Sequence, residues 1–159
     1  MQIYLPKDYH LVAFRLDSGE NLNIFLEDHL RLNGAGFICL FSLQAQIDAV
    51  TLGFWNAKAQ KYATHKIRPR GYSQLEPTTI SGNATWVGEK PFAHIHGGVC
   101  HADPKKKGRF AGGGHFTQTF IGRTGEGFML VGDDETPIMR VLNPEMKCNV
   151  KEWCLPKGE

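Results

Sequence analysis

The sequence predicts an α+β fold, one compact domain with a largely antiparallel sheet and a single main helix. Three observations carry that prediction. Only Leu22 to Leu30 spaces its apolar residues as a helix does. The other apolar residues fall in short runs or alternations that suit strands. Eighteen glycines among 159 residues supply turns and close backbone approaches. The length is that of one domain. A chain of this size buries enough surface to fold without a disulfide or a metal.

The first strand is expected over Tyr9 to Leu16, with His10, Val12, Phe14 and Leu16 on one face. Asp17-Ser-Gly-Glu20 is close to a capping box and should open the helix. Leu22, Phe25, Leu26 and Leu30 form its buried stripe, and Asn33-Gly34 ends it. His29 lies in the last turn, where a cation complements the helix dipole. Phe37 to Leu43 reads as a buried strand and Ala49 to Trp55 as another, joined by Gln46-Ile-Asp48. Lys61 to Ile67 alternates as a strand with one wet face. Arg68-Pro-Arg-Gly71 lacks the Arg-Gly-Arg-Pro order of a minor-groove hook and reads as a basic turn.

Tyr72 to Ser81 is extended, with Pro77 marking an edge, a bulge or a break. Gly82-Asn83 is expected to turn, Ala84 to Val87 to begin a short strand, and Gly88 to Pro91 to turn again. Gln118 to Gly122 and Phe128 to Val131 read as strands around a Gly122–Gly127 turn. Ile138 to Leu142 closes the core, which spans 9–142. Residues 143–159 form a tail whose Trp153 packs on the domain or on a neighbour.

Apolar residues make up 42% of the chain, charged residues 21%, and the net charge is +2. These are ordinary values for a soluble protein. They do not by themselves argue for nucleic acid. Four cysteines without a CxxC pair disfavour a thiolate zinc site. No charged-then-apolar leader and no apolar run approaching 18 residues is present. The expectation is a cytoplasmic protein off the membrane, with Cys148 and Cys154 as free thiols.

Pro91 to Phe116 holds four of the seven histidines. On a strand, His94 and His96 point the same way, roughly 6–7 Å apart. Ile95 points into the opposite layer. The glycine triplet Gly112–Gly114 gives His115 the backbone freedom to approach them. Three neutral histidines with an open position suit zinc, and imidazoles also suit nickel, iron and copper. The same spacing suits hydrogen-bonded strand histidines, and the residues alone leave the two readings balanced. Cys100 and His101 fall outside this set. Asp103 to Arg109 is a loop carrying Lys105, Lys106, Lys107 and Arg109. It is either a solvated tip or a phosphate-contacting edge.

Several short motifs occur together: Phe14-Arg-Leu16 before Gly19-Glu20, Val50-Thr-Leu-Gly53, Tyr62, Leu75-Glu76 before Ile80-Ser-Gly-Asn83, His94-Ile-His96 and Gly113-Gly-His115-Phe116. Together they resemble the PPC domain, the plants and prokaryotes conserved domain formerly classed as a domain of unknown function. The resemblance covers Tyr9 to Leu142 and is to the stand-alone prokaryotic type without an AT-hook. It implies a homotrimer and a zinc site on His94, His96 and His115. Plant members accompany AT-hooks in DNA-binding proteins, so a DNA-associated or regulatory role is the first functional expectation. The Lys105–Arg109 loop is more basic than the family pattern, and the tail lies outside it. A zinc-dependent hydrolase or lyase on a small substrate is the alternative, with Glu76 as candidate general base. A third reading is a trimeric ligand-binding module that the metal stabilises.

Overall fold

A computed structural model describes residues 8–56, 58–59, 61–69, 74–101, 109–132, 137–142 and 151–154. In chain order the elements are β1 (Tyr9–Asp17), α1 (Leu22–Leu32), β2 (Phe37–Asn56), β3 (Lys61–Ile67), β4 (Leu75–Val87), β5 (Lys90–His101), β6 (Phe110–Gly132), β7 (Met139–Leu142) and β8 (Lys151–Cys154). The sheet runs β3-β2-β6-β5-β4-β7-β8, with β1 on β6. A further pairing of β2 with β4 closes β2, β6, β5 and β4 on themselves. Every pairing between these strands is antiparallel except β4 with β7. The predicted fold class therefore holds.

Helix α1 packs its Leu22, Leu26 and Leu30 stripe on the sheet, and all three are fully buried. Burying each of those side chains contributes about 1.5–3 kcal/mol. Ile38, Ile80, Ile95 and Phe116 complete the core from the strands. The β1 face expected from the alternation is also present, with Leu16 buried and Val12 and Phe14 partly so.

The cap differs from the expectation. Asn21, not Asp17, caps α1, and its Oδ1 accepts from the Asn23 and Ile24 amides. Asp17 and Glu20 instead close a turn of their own: the Glu20 amide donates to the Asp17 carbonyl, and the Asp17 amide donates to the Glu20 carboxylate. His29 sits in the last turn as read, but burial and the neighbouring His10 lower its pKa. It is therefore poorly suited to the cationic role.

The larger departures come from strands that do not stop. Phe37–Asn56 is one strand of 20 residues. Gln46 to Asp48 bends it through register shifts at Ala45/Ile47 and Ile47/Ala49 rather than breaking it. Ile47, fully buried, anchors the bend. Gly82-Asn83 lies inside β4, because a side chain at Gly82 would strike the His94 carbonyl of β5. The Gly122–Gly127 segment likewise belongs to a single 23-residue β6. A side chain at Gly127 would strike Ser42 and Phe14, so this glycine serves packing between β1, β6 and β2. Pro77 marks a bulge, and Gly88, at φ 59°, turns β4 into β5. The tail contributes β8, paired with β7. Cys148, Arg70 and Lys105 to Lys107 lie outside the described residues.

Candidate metal centre

Strand β5 alternates as its sequence requires. Ala93, Ile95 and Val99 face the core, and His94 and His96 face away from it. In the ladder His96 lies opposite His115 of β6, and His115 lies opposite Gly53 of β2. Gly114 holds φ 140°, a conformation that side-chain-bearing residues rarely adopt, immediately before His115. Gly53 lies beside the ring, and a Cβ there would strike Thr117 Cγ2 at 2.9 Å while only touching His115 Nδ1 at 3.8 Å.

The three imidazoles meet. One ligand nitrogen from each of His94, His96 and His115 lies within 4.8 Å of the others. The His94 and His96 Nε2 atoms are 3.2 Å apart. A tetrahedral ion with 2.1 Å bonds separates its ligand nitrogens by about 3.4 Å. One edge of that polyhedron is therefore close to its expected length. The rings of His96 and His115 stack at 5° with centroids 5.3 Å apart. The His94 ring stands across both, near 88°. His96 is exposed, so the centre opens on solvent.

The surroundings disfavour protonation of two of the three rings. Burial, then Arg140, His115 and His96, push the His94 pKa down to about 4. Burial, His96 and Arg140 lower that of His115. Both are neutral imidazoles at pH 7, as ligation requires.

Arg140 was not legible as a site residue. It lies on β7, and its buried guanidinium crosses β4 to reach the centre. It donates to Thr85 Oγ1 at 2.9 Å and to Asn83 Oδ1 at 2.7 Å, and its Nη2 lies 3.1 Å from His94 Nδ1. A guanidinium only donates, so His94 Nδ1 accepts. In the neutral ring the proton then sits on Nε2, directed at His96. The usual outer partner of a metal-bound histidine accepts from its free nitrogen; here the partner is a donor. The one hint was a charge inside an apolar strand. Glu27 was missed too. From α1 its carboxylate accepts from the Ala93 amide at 3.0 Å, steadying β5 one residue before His94.

The other expected residues stand apart. Glu76 is exposed on β4, opposite Cys100. Five positions along the same strand, Ser81 is opposite His96. That places Glu76 on the order of 15 Å from the histidines. Arg109 is exposed, and its carbonyl accepts from the His101 amide. Cys100 and His101 end β5 beyond the cluster. Among the described residues, no helix is long and apolar enough to cross a membrane.

No protein-family model and no curated protein matches the sequence. Solved structures match over nearly the whole chain. A metal-containing protein from Archaeoglobus fulgidus aligns with TM-score 0.75 at 19% identity, covering 97% of this chain and 99% of that one. A plant- and prokaryote-conserved (PPC) protein from Pyrococcus horikoshii gives TM-score 0.73 at 16% identity, with 97% and 99% covered. A candidate DNA-binding protein from Ralstonia eutropha JMP134 gives TM-score 0.74 at 22% identity, with 91% and 90% covered. The chain thus has the fold shared by these proteins.

Proposed function

We propose that this protein, built on the PPC fold, holds zinc on His94, His96 and His115 and serves a DNA-associated or regulatory role. The observation that carries the metal is the convergence of three ligand nitrogens within 4.8 Å on one face. The similarity to a metal-containing protein supports it. The donor set fits: three imidazoles on an open face leave a fourth position, although the same nitrogens would also accept nickel, iron or copper. Bound zinc would supply Lewis acidity and a water that ionises near pH 7. The chain's own residues do the holding. Ile95 and Ala93 anchor the strand that aims His94 and His96, and Gly114 lets His115 approach.

The DNA-associated role draws on the candidate DNA-binding protein of the same fold. In this reading Lys105, Lys106, Lys107 and Arg109 touch duplex phosphates, and a homotrimer presents the loop three times. The exposed edge of the metal centre at His96 favours a second reading, a hydrolase or lyase on a small substrate. Glu76 would be its base only for a substrate spanning on the order of 15 Å of β4.

Metal analysis of protein purified without a His-tag tests the first reading. Stoichiometric metal that His94→Ala abolishes supports it, and metal-free protein refutes it. Duplex binding that falls steeply with salt supports the DNA role; none at low salt removes it.

A further inference from the structure

From Ala49 to Leu75 the sequence carries no aspartate or glutamate. Those 27 residues hold Lys58, Lys61, Lys66, Arg68 and Arg70, five of the chain's 18 basic residues. That leaves 13 Lys and Arg against all 16 Asp and Glu elsewhere. The modest net charge therefore hides a strong local asymmetry. Lys61 and Lys66 lie on β3, which pairs with the second half of β2, and Lys58 and Arg68 flank β3 in the chain.

The same hairpin displays aromatic rings. Residues directly opposite in a ladder share a face. Trp55 is opposite Tyr62, Gly53 is opposite Thr64, and Thr51 is opposite Lys66. The face continues onto β6, where Gln118 is opposite Thr51 and Phe120 is opposite Ala49. It is the outer face, since Leu52 and Phe116 of the intervening positions are buried. Tyr62 is half exposed and meets Trp55 edge-on at 5.4 Å. The Lys66 ammonium lies over the Phe120 ring, 5.6 Å from its centre. Beyond it a depression of about 480 Å³ is lined by Lys66, Arg68, Pro69 and Phe120 and by one acidic residue, Asp48. The strip from Tyr62 to Lys66 is roughly 13 Å long.

We infer that the outer face of the β2–β3 hairpin and the adjoining part of β6 bind single-stranded nucleic acid. Trp55 and Tyr62 offer the stacking platform, and Lys66 and Arg68 hold the phosphates. The charge complementarity selects a polyanion, and the rings select one whose bases are free. Bases in a duplex are already stacked on each other, so the aromatic face offers a duplex nothing, whereas unpaired bases gain by stacking on it. DNA and RNA share this chemistry. The assignment rests on neither the metal centre nor the Lys105–Arg109 loop.

Fluorescence anisotropy of the full chain with labelled oligo(dT) and oligo(rU) of about 15 nucleotides tests it. Saturable binding at low salt is expected, weakening as salt rises. Tyr62→Ala should weaken it about tenfold or more, and Tyr62→Phe, which keeps the ring, should restore it. Lys66→Ala and Arg68→Ala should each reduce the log–log salt slope by about 0.7. Preference for oligo(dT) or oligo(rU) identifies the natural strand, and either supports the inference. No binding at low salt overturns it. So does duplex DNA that competes as well as the single strands, or binding unmoved by both Tyr62→Ala and Lys66→Ala. Metal content measured on the same preparation keeps the readings separate: metal-free protein that binds oligo(dT) refutes only the metal centre, and metal-loaded protein that does not refutes only this surface.

Discussion

Arg140 and His94 hold the most specific chemistry in the protein. The guanidinium donates to His94 Nδ1 and so opposes the tautomer that leaves Nε2 free for a metal. Its charge, 3.1 Å away, opposes a cation at the centre for the same reason that it lowers the pKa. Arg140→Met should therefore tighten zinc binding about tenfold, within the range that outer partners of metal ligands exert. Calorimetric titration checks this, and unchanged or weaker affinity would contradict it. The pH dependence of stability has a definite sign. His94 takes its proton at about 4 in the folded chain, chiefly because it is buried, against about 6.5 unfolded. As pH falls below 6.5 the unfolded chain binds the proton first, so stability is lost between pH 6.5 and about 4. In chelated protein the melting temperature should fall across that window, and His94→Gln should flatten the fall. Equal profiles for both proteins would show that His94 is not the group responsible.

At the scale of elements, local patterns were legible and strand length was not. The α1 stripe, the β1 alternation and the outward pair on β5 follow from periodicity, which neighbouring residues set among themselves. Asn21 was overlooked as the cap because Asp17 with Glu20 offered the same chemistry four residues earlier, in what is a separate turn. Gly82 and Gly127 were read as turn residues because sequence cannot separate a glycine that bends the chain from one that admits a neighbouring strand. Those two roles respond differently to mutation. Gly127→Ala should destabilise the protein by roughly 1–3 kcal/mol through overpacking against Phe14. Leu26→Ala, which empties a fully buried site on α1, should cost about 2–5 kcal/mol. Denaturant unfolding measures both, and a neutral Gly127→Ala would mean that the β1–β6–β2 packing is looser than the structure shows.

In the whole molecule, β2, β6, β5 and β4 close into a ring of strands that keeps its core inside and its histidines outside. The β5–β6 pairing makes His94 and His115, 21 positions apart, neighbours with both residues on strands. The sequence singled out the three histidines that converge, because each lies in a recognisable local motif. It did not disclose Arg140, which reaches the site only through the β4–β7 pairing, formed late in the chain. It also disguised the basic hairpin, since whole-chain charge averages over opposite faces. The central claim is the metal. Its most direct test is elemental analysis of tag-free protein beside the His115→Ala variant, with melting curves to show that both are folded. About one equivalent of zinc or another divalent transition metal per chain is expected in the first, and little in the second. A folded parent protein without metal, or a variant that keeps a full equivalent, would contradict the assignment of His94, His96 and His115.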